Sequence, residues 1–127
     1  MRAYLAAAYR RKDEIHGYAL ALRAIGVEVV STWDQEDYAP TVALGEVPGP
    51  VLAAIAEKDL RDLHAADTLI FFTEPQDVQP PRGGRHVEFG IALALGHRLI
   101  VVGERENIFH HLPQVEVIQH ISEIGGI

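Results

Sequence analysis

At 127 residues with 48% hydrophobic content, the chain has room for one domain with a buried core and not for two. Its 11 Lys and Arg against 18 Asp and Glu give a net charge of −7, which argues against a nucleic-acid polymer as the main partner, because backbone neutralisation needs a basic face. With no cysteine, disulfides, thiolate chemistry and Cys-type zinc sites drop out together.

The chain opens on Arg2 to Ala8, a short apolar run that reads as a buried strand. It is too short for a signal-peptide core, and its charges, Arg10, Arg11 and Lys12, follow rather than precede it. No later segment is long enough to span a bilayer, so the expectation is a soluble, cytoplasmic protein with no membrane association. Asp13 to Ile25 carries apolar residues at Ile15, Tyr18, Ala19, Leu22 and Ile25 and closes on Gly26, the pattern of an amphipathic helix. Val27 to Thr32 reads as a second strand. The polar, proline-bearing stretch Trp33 to Pro50 is longer than an ordinary connection and marks a functional loop or a lid. Helix Val51 to Ala66, strand Thr68 to Phe72, loop Thr73 to Gly84, helix His86 to Leu95, strand Leu99 to Val102, loop Gly103 to Pro113 and strand Val115 to Ile118 follow.

Strands alternate with helices, and each strand is a continuous apolar run, as a parallel sheet covered on both faces requires. The fold expected is a single-domain α/β structure, a doubly wound (Rossmann- or flavodoxin-like) five-stranded parallel sheet with helices on both faces. Ligands of such sheets sit outside the carboxyl ends of the strands, where strand order reverses, so the loops beginning at Tyr9, Trp33, Thr73 and Gly103 are the candidate site.

Two carboxylates stand on apolar faces. In the second helix Leu52, Ile55, Ala56, Leu60 and Leu63 form one stripe with Asp59 at its centre, while Glu57, Lys58, Arg61, Asp62 and His64 lie off it toward solvent. A desolvated carboxyl needs a raised pKa or a dedicated partner, so Asp59 is either a functional acid or a structural one paired within the fold. Glu88 shares a face with Ile91, Ala92 and Leu95 in the first turn of its helix, where free N–H groups and the dipole favour the anion. One carboxyl held as the acid and another as the anion is the division of labour that cleaves glycosidic bonds.

The stretches "RAYLAAAYRRKDE", "EKDLRDLHAADTLIFF" and "GGRHVEFGIALALGHRLIVVG" resemble the nucleoside 2-deoxyribosyltransferase superfamily, which includes nucleoside 5'-monophosphate N-glycosidases. The resemblance covers all but the 33–50 stretch and the last few residues. It implies that Glu88 is the nucleophile that takes the sugar C1', that Asp59 is the acid assisting base departure, and that Tyr4 touches the nucleophile or the sugar. It implies cleavage or transfer at the N-glycosidic bond of a small nucleoside or nucleotide through a glycosyl-Glu88 intermediate, without a cofactor. It also implies a homo-oligomer, a dimer or higher, that shares its sites through the loop "GERENIFHHLP", with Asn107 and His110 as substrate contacts. Family hydrolases that bind a 5'-phosphate often carry serines where this chain has Ala8 and Arg82, and transferases often have a carboxylate near Arg82.

Arg10, Arg82 and Arg85, with Gly83 and Gly84, form either an anion site at the start of the Glu88 helix or a solvated loop whose glycines let the backbone approach the sugar. The histidines lack metal-ligand spacing, so no metal is expected. Trp33 and Tyr38 either stack on a base or pack. A phospho-receiver would need acids where the chain has "AAAY" and "FFTE", and a flavodoxin a hydroxyl-rich loop in place of "YRRKDE". A nucleotide-binding or NAD-cleaving sensor module of the same fold stays open.

Overall fold

The apolar run Thr68–Phe72 is buried along its whole length and forms the middle of the sheet. In the computed structural model, described for residues 1–35, 47–75 and 83–125, five strands lie in the order β2-β1-β3-β4-β5 and all four pairings are parallel. They are β1 (Arg2–Ala6), β2 (Glu28–Val29), β3 (Thr68–Phe72), β4 (Arg98–Val102) and β5 (Val115–Ile118). Three helices connect them: α1 (Lys12–Ala24), α2 (Gly49–Ala65) and α3 (Gly84–Ala94). The doubly wound parallel architecture expected from the alternation of strands and helices is the one observed. Among the described residues no helix is long and apolar enough to cross a membrane.

Alternate residues of β3 show how the layers are divided. Phe71 packs edge-on against Phe89 of α3 with ring centroids 5.6 Å apart, whereas Phe72 stacks on Tyr18 of α1 at 5.4 Å on the other face. From β1 the chain winds outward through α1 to β2, then turns back through α2 to β3, so strand order reverses between β1 and β3. Right-handed crossovers therefore put α2 and α3 together on the face opposite α1.

Several boundaries differ from the sequence reading by one to three residues. β1 ends at Ala6, and Tyr9–Arg11 forms a 3-10 turn leading into α1. β2 stops at Val29 instead of running to Thr32, because beyond the bond from Val30 N–H to Ala3 the next β1 amide, Leu5 N–H, donates to the Ser31 hydroxyl and not to a backbone carbonyl. α3 begins at Gly84, two residues before His86, with Gly83 as its N-cap at φ +95°, a conformation that side chains disfavour.

Candidate active site

α2 and α3 are neighbours over β1, and the cleft between them, about 290 Å³, is lined by Ala56, Asp59, Leu60 and Leu63 from one helix and Gly84, Val87, Glu88 and Ile91 from the other. Its lining is apolar apart from two carboxylates, which face it from opposite helices. Tyr4 lies behind it on β1: its side chain is fully buried, and its hydroxyl donates to Glu88 Oε2. The structure thus brings Tyr4, Asp59 and Glu88 to one place from three separate elements.

The electrostatics overturn the expectation that Glu88 is held as an anion. Because α3 starts at Gly84, Glu88 sits in the second turn, and the first turn with its free N–H groups contains no acid. Burial against the cleft wall pushes the Glu88 pKa up to about 8; the Tyr4 hydrogen bond and the Lys58 charge act in the opposite direction, and the charge of Asp59 adds to the rise. Burial, reinforced by the charge of Glu88, likewise raises Tyr4 well above the ordinary tyrosine range, so its hydroxyl stays a donor. Asp59 has a charged neighbour, shared with Thr32 and Asp62: Lys58 Nζ lies 3.0 Å from its Oδ1 as an ion pair. In the resting cleft burial therefore favours Glu88 as the protonated group.

Lys58 and Asp62 do not point to solvent as the helical stripe suggests. Lys58 Nζ donates to Thr32 Oγ1 at 2.7 Å, Thr32 donates to Asp62 Oδ2 at 2.7 Å, and Lys58 lies 3.8 Å from the same Asp62 oxygen. The network ties α2 to the segment after β2. The i,i+4 spacing of Lys58 and Asp62 was visible in the sequence, but its link to Thr32 spans 26 residues and was not. The stripe itself is less buried than its pattern implies: Leu63 is enclosed, while Leu60 and Ala56 border the open cleft.

The basic residues are differently disposed. Arg85 is buried, both terminal nitrogens donate to Glu106, and its guanidinium lies 5.0 Å over the Phe71 ring. Against the burial that would raise it, Arg85 holds the Glu106 carboxyl below its ordinary value. The Arg85 fork thus fixes the loop after β4 instead of facing the cleft as an anion-binding donor. Arg10 Nη2 donates at 2.5 Å to Glu74, whose carboxylate also pairs with Arg11 at 3.4 Å. Gly83 and Gly84 form the start of α3, and Gly84 borders the cleft. Arg82 and Tyr38 lie outside the described residues.

In the loop after β4, His110 is fully enclosed, with rings of Phe71 and Phe89 each 4.9 Å away, and its Nδ1 accepts from Glu106 N–H. Burial lowers its pKa. Asn107 Oδ1 caps the 3-10 turn Ile108–His111 by accepting from Phe109 N–H. Both residues, expected as substrate contacts, are used to shape the loop, which leaves Ile108 and Phe109 exposed at its tip. Trp33 is a packing residue: it is buried and its indole donates to Leu5 O at 2.5 Å. Among the described residues no group of three His, Asp or Glu side chains is placed to hold a metal ion.

No family model matches the chain, and no curated protein does. Among solved structures it matches the Clostridium botulinum CMP N-glycosidase BcmB over 93% of this chain and 88% of that one, at 22% identity with a TM-score of 0.58. The chain has the BcmB fold. The α2–α3 cleft, Tyr4 and the two carboxylates are carried on that BcmB-like framework, on the helical face that adjoins the reversal of strand order.

Proposed function

We propose that this protein cleaves the N-glycosidic bond of a nucleoside 5'-monophosphate, with Glu88 as nucleophile, Asp59 as the acid at the base and Tyr4 positioning Glu88. The observation that carries the reading is the convergence of Tyr4, Glu88 and Asp59 on one apolar cleft, two carboxyl groups sharing a low-dielectric space beside a phenol. The likeness to a CMP N-glycosidase and the resemblance of the three sequence stretches to the deoxyribosyltransferases support it.

The reaction balances with the proton already in the cleft. Glu88 gives its proton to Asp59, which passes it to the departing base as the C1'–N bond breaks and its electron pair leaves with the base. The freed Glu88 oxygen forms the bond to C1'. Water then attacks C1', releases the sugar phosphate and returns one proton to the pair; a second base in place of water would make the same step a transfer. Arg82 and Arg10 are the groups assigned to the 5'-phosphate. Arg85, Gly83 and Gly84 hold the start of α3.

A homodimer or higher oligomer fits the surface. Val87 is 62% exposed, Ile108 77% and Phe109 53%, and with Val51, Leu60 and Leu95 they give the helical side of the molecule an apolar rim. The deciding experiment incubates the protein with nucleosides, their 5'-monophosphates and NAD, with and without an acceptor base. Free base from a monophosphate, and a sugar-phosphate mass on Glu88 after quench, are expected. Release from NAD alone would favour the sensor reading, and no release from any of the panel would sink the enzyme.

A further inference from the structure

The side chain next to Asp59 enters neither carboxylate role, yet it sets a cation directly behind that wall of the cleft. Lys58 Nζ contacts Asp59 Oδ1 at 3.0 Å, Thr32 Oγ1 at 2.7 Å and Asp62 Oδ2 at 3.8 Å, so it is held by α2 on one side and by the segment after β2 on the other. A lysine serving only solubility would extend into water; this one is about three-quarters covered, with 26% of its side chain exposed.

We propose that Lys58 is a positioning residue that decides where the proton of the Glu88–Asp59 pair resides: its ammonium keeps Asp59 as the anion in the resting cleft and leaves the proton on Glu88. This rests on the reading of the two carboxyls as a catalytic pair. An opposite charge in contact favours the ionised carboxylate, and the same contact makes Asp59, once it takes the proton from Glu88, a stronger acid toward the leaving base. Thr32 fixes the ammonium from the far side, so it need not follow Asp59 as the substrate enters. Among the described residues the titratable or charged groups facing this point are Tyr4 from β1, Asp59, Asp62 and Arg61 from α2, and Glu88 from α3, and Lys58 is the cation that acts on Glu88 as well.

The test follows the side-chain carboxyl resonances of Asp59 and Glu88 by 13C NMR against pH in wild type, Lys58→Met and Lys58→Arg, together with the pH profile of kcat/KM. In Lys58→Met the Asp59 midpoint rises by about one pH unit or more, the Glu88 midpoint rises by less, and both limbs of the activity profile move to higher pH. Lys58→Arg keeps the wild-type midpoints. If Lys58→Met does not fold, Lys58→Gln keeps a donor toward Thr32 and Asp59 without the charge and gives the same shifts. Reduced turnover with unmoved carboxyl midpoints overturns the proposal and leaves Lys58 a structural tie. A wild type without activity on any nucleotide sinks the catalytic reading instead, and the carboxyl titration still decides where the proton lies.

Discussion

Glu88 is the residue on which function and stability pull in opposite directions. Its pKa near 8 means that the folded chain binds a proton there which the unfolded chain, with an ordinary glutamate, releases above about pH 4.5. Between these values the native state holds more protons, so the contribution of Glu88 to stability declines as pH rises, by about 1.4 kcal/mol per pH unit at most, and levels off above pH 8. Glu88→Gln keeps the shape and can still accept from Tyr4. The mutant is therefore expected to gain in Tm over wild type as pH rises from 5 to 8, while losing kcat by about 10³-fold or more. Parallel melting curves at pH 5 and 8 would show that the carboxyl is solvated. Asp59→Asn is expected to slow release of poor leaving groups by about 10²–10⁴-fold and of good ones much less, measured on a series of base analogues. Equal losses across the series would assign Asp59 to structure.

At the scale of elements, the site depends on how the strand ends are joined. Gly103 leaves β4 at φ +110°, and a Cβ there would run into the Thr73 hydroxyl at the end of β3. That hydroxyl donates to Val102 O at 3.2 Å, so it has little room to yield. Gly103→Ala is expected to cost about 1–3 kcal/mol by denaturant melts, from the strained φ and the clash together. Adding Thr73→Ala should recover the clash and leave the strain; a single mutant as stable as wild type would mean that the turn can rearrange. α2 shows the limit of periodicity. Its apolar stripe marks the face that approaches α3, but a stripe says nothing about whether a cleft stands between the two helices, and here one does.

For the whole molecule, the apolar rim of α2, α3 and the 3-10 turn Ile108–His111 predicts self-association. Light scattering at micromolar concentration should give a dimer or larger species, and Leu95→Glu or Phe109→Ser should shift it toward the monomer with the fold intact by circular dichroism. A wild type that is monomeric throughout would mean that each cleft works alone.

The sequence by itself determined the parallel sheet with helices on both faces and marked Asp59 and Glu88, because apolar runs and helical stripes are local patterns and a carboxylate on an apolar face stands out without coordinates; Tyr4 came only from the resemblance to the deoxyribosyltransferases. Tertiary structure alone decided the state and the company of those groups. The raised pKa of Glu88 comes from burial, and Lys58 is anchored on Thr32, contacts between residues far apart in the chain. The same holds for Arg85 and His110, which look available in sequence until Glu106, Phe71 and Phe89 close around them. Charge and polarity can be read from residue type, whereas pairing and desolvation exist only once the chain has brought distant residues together.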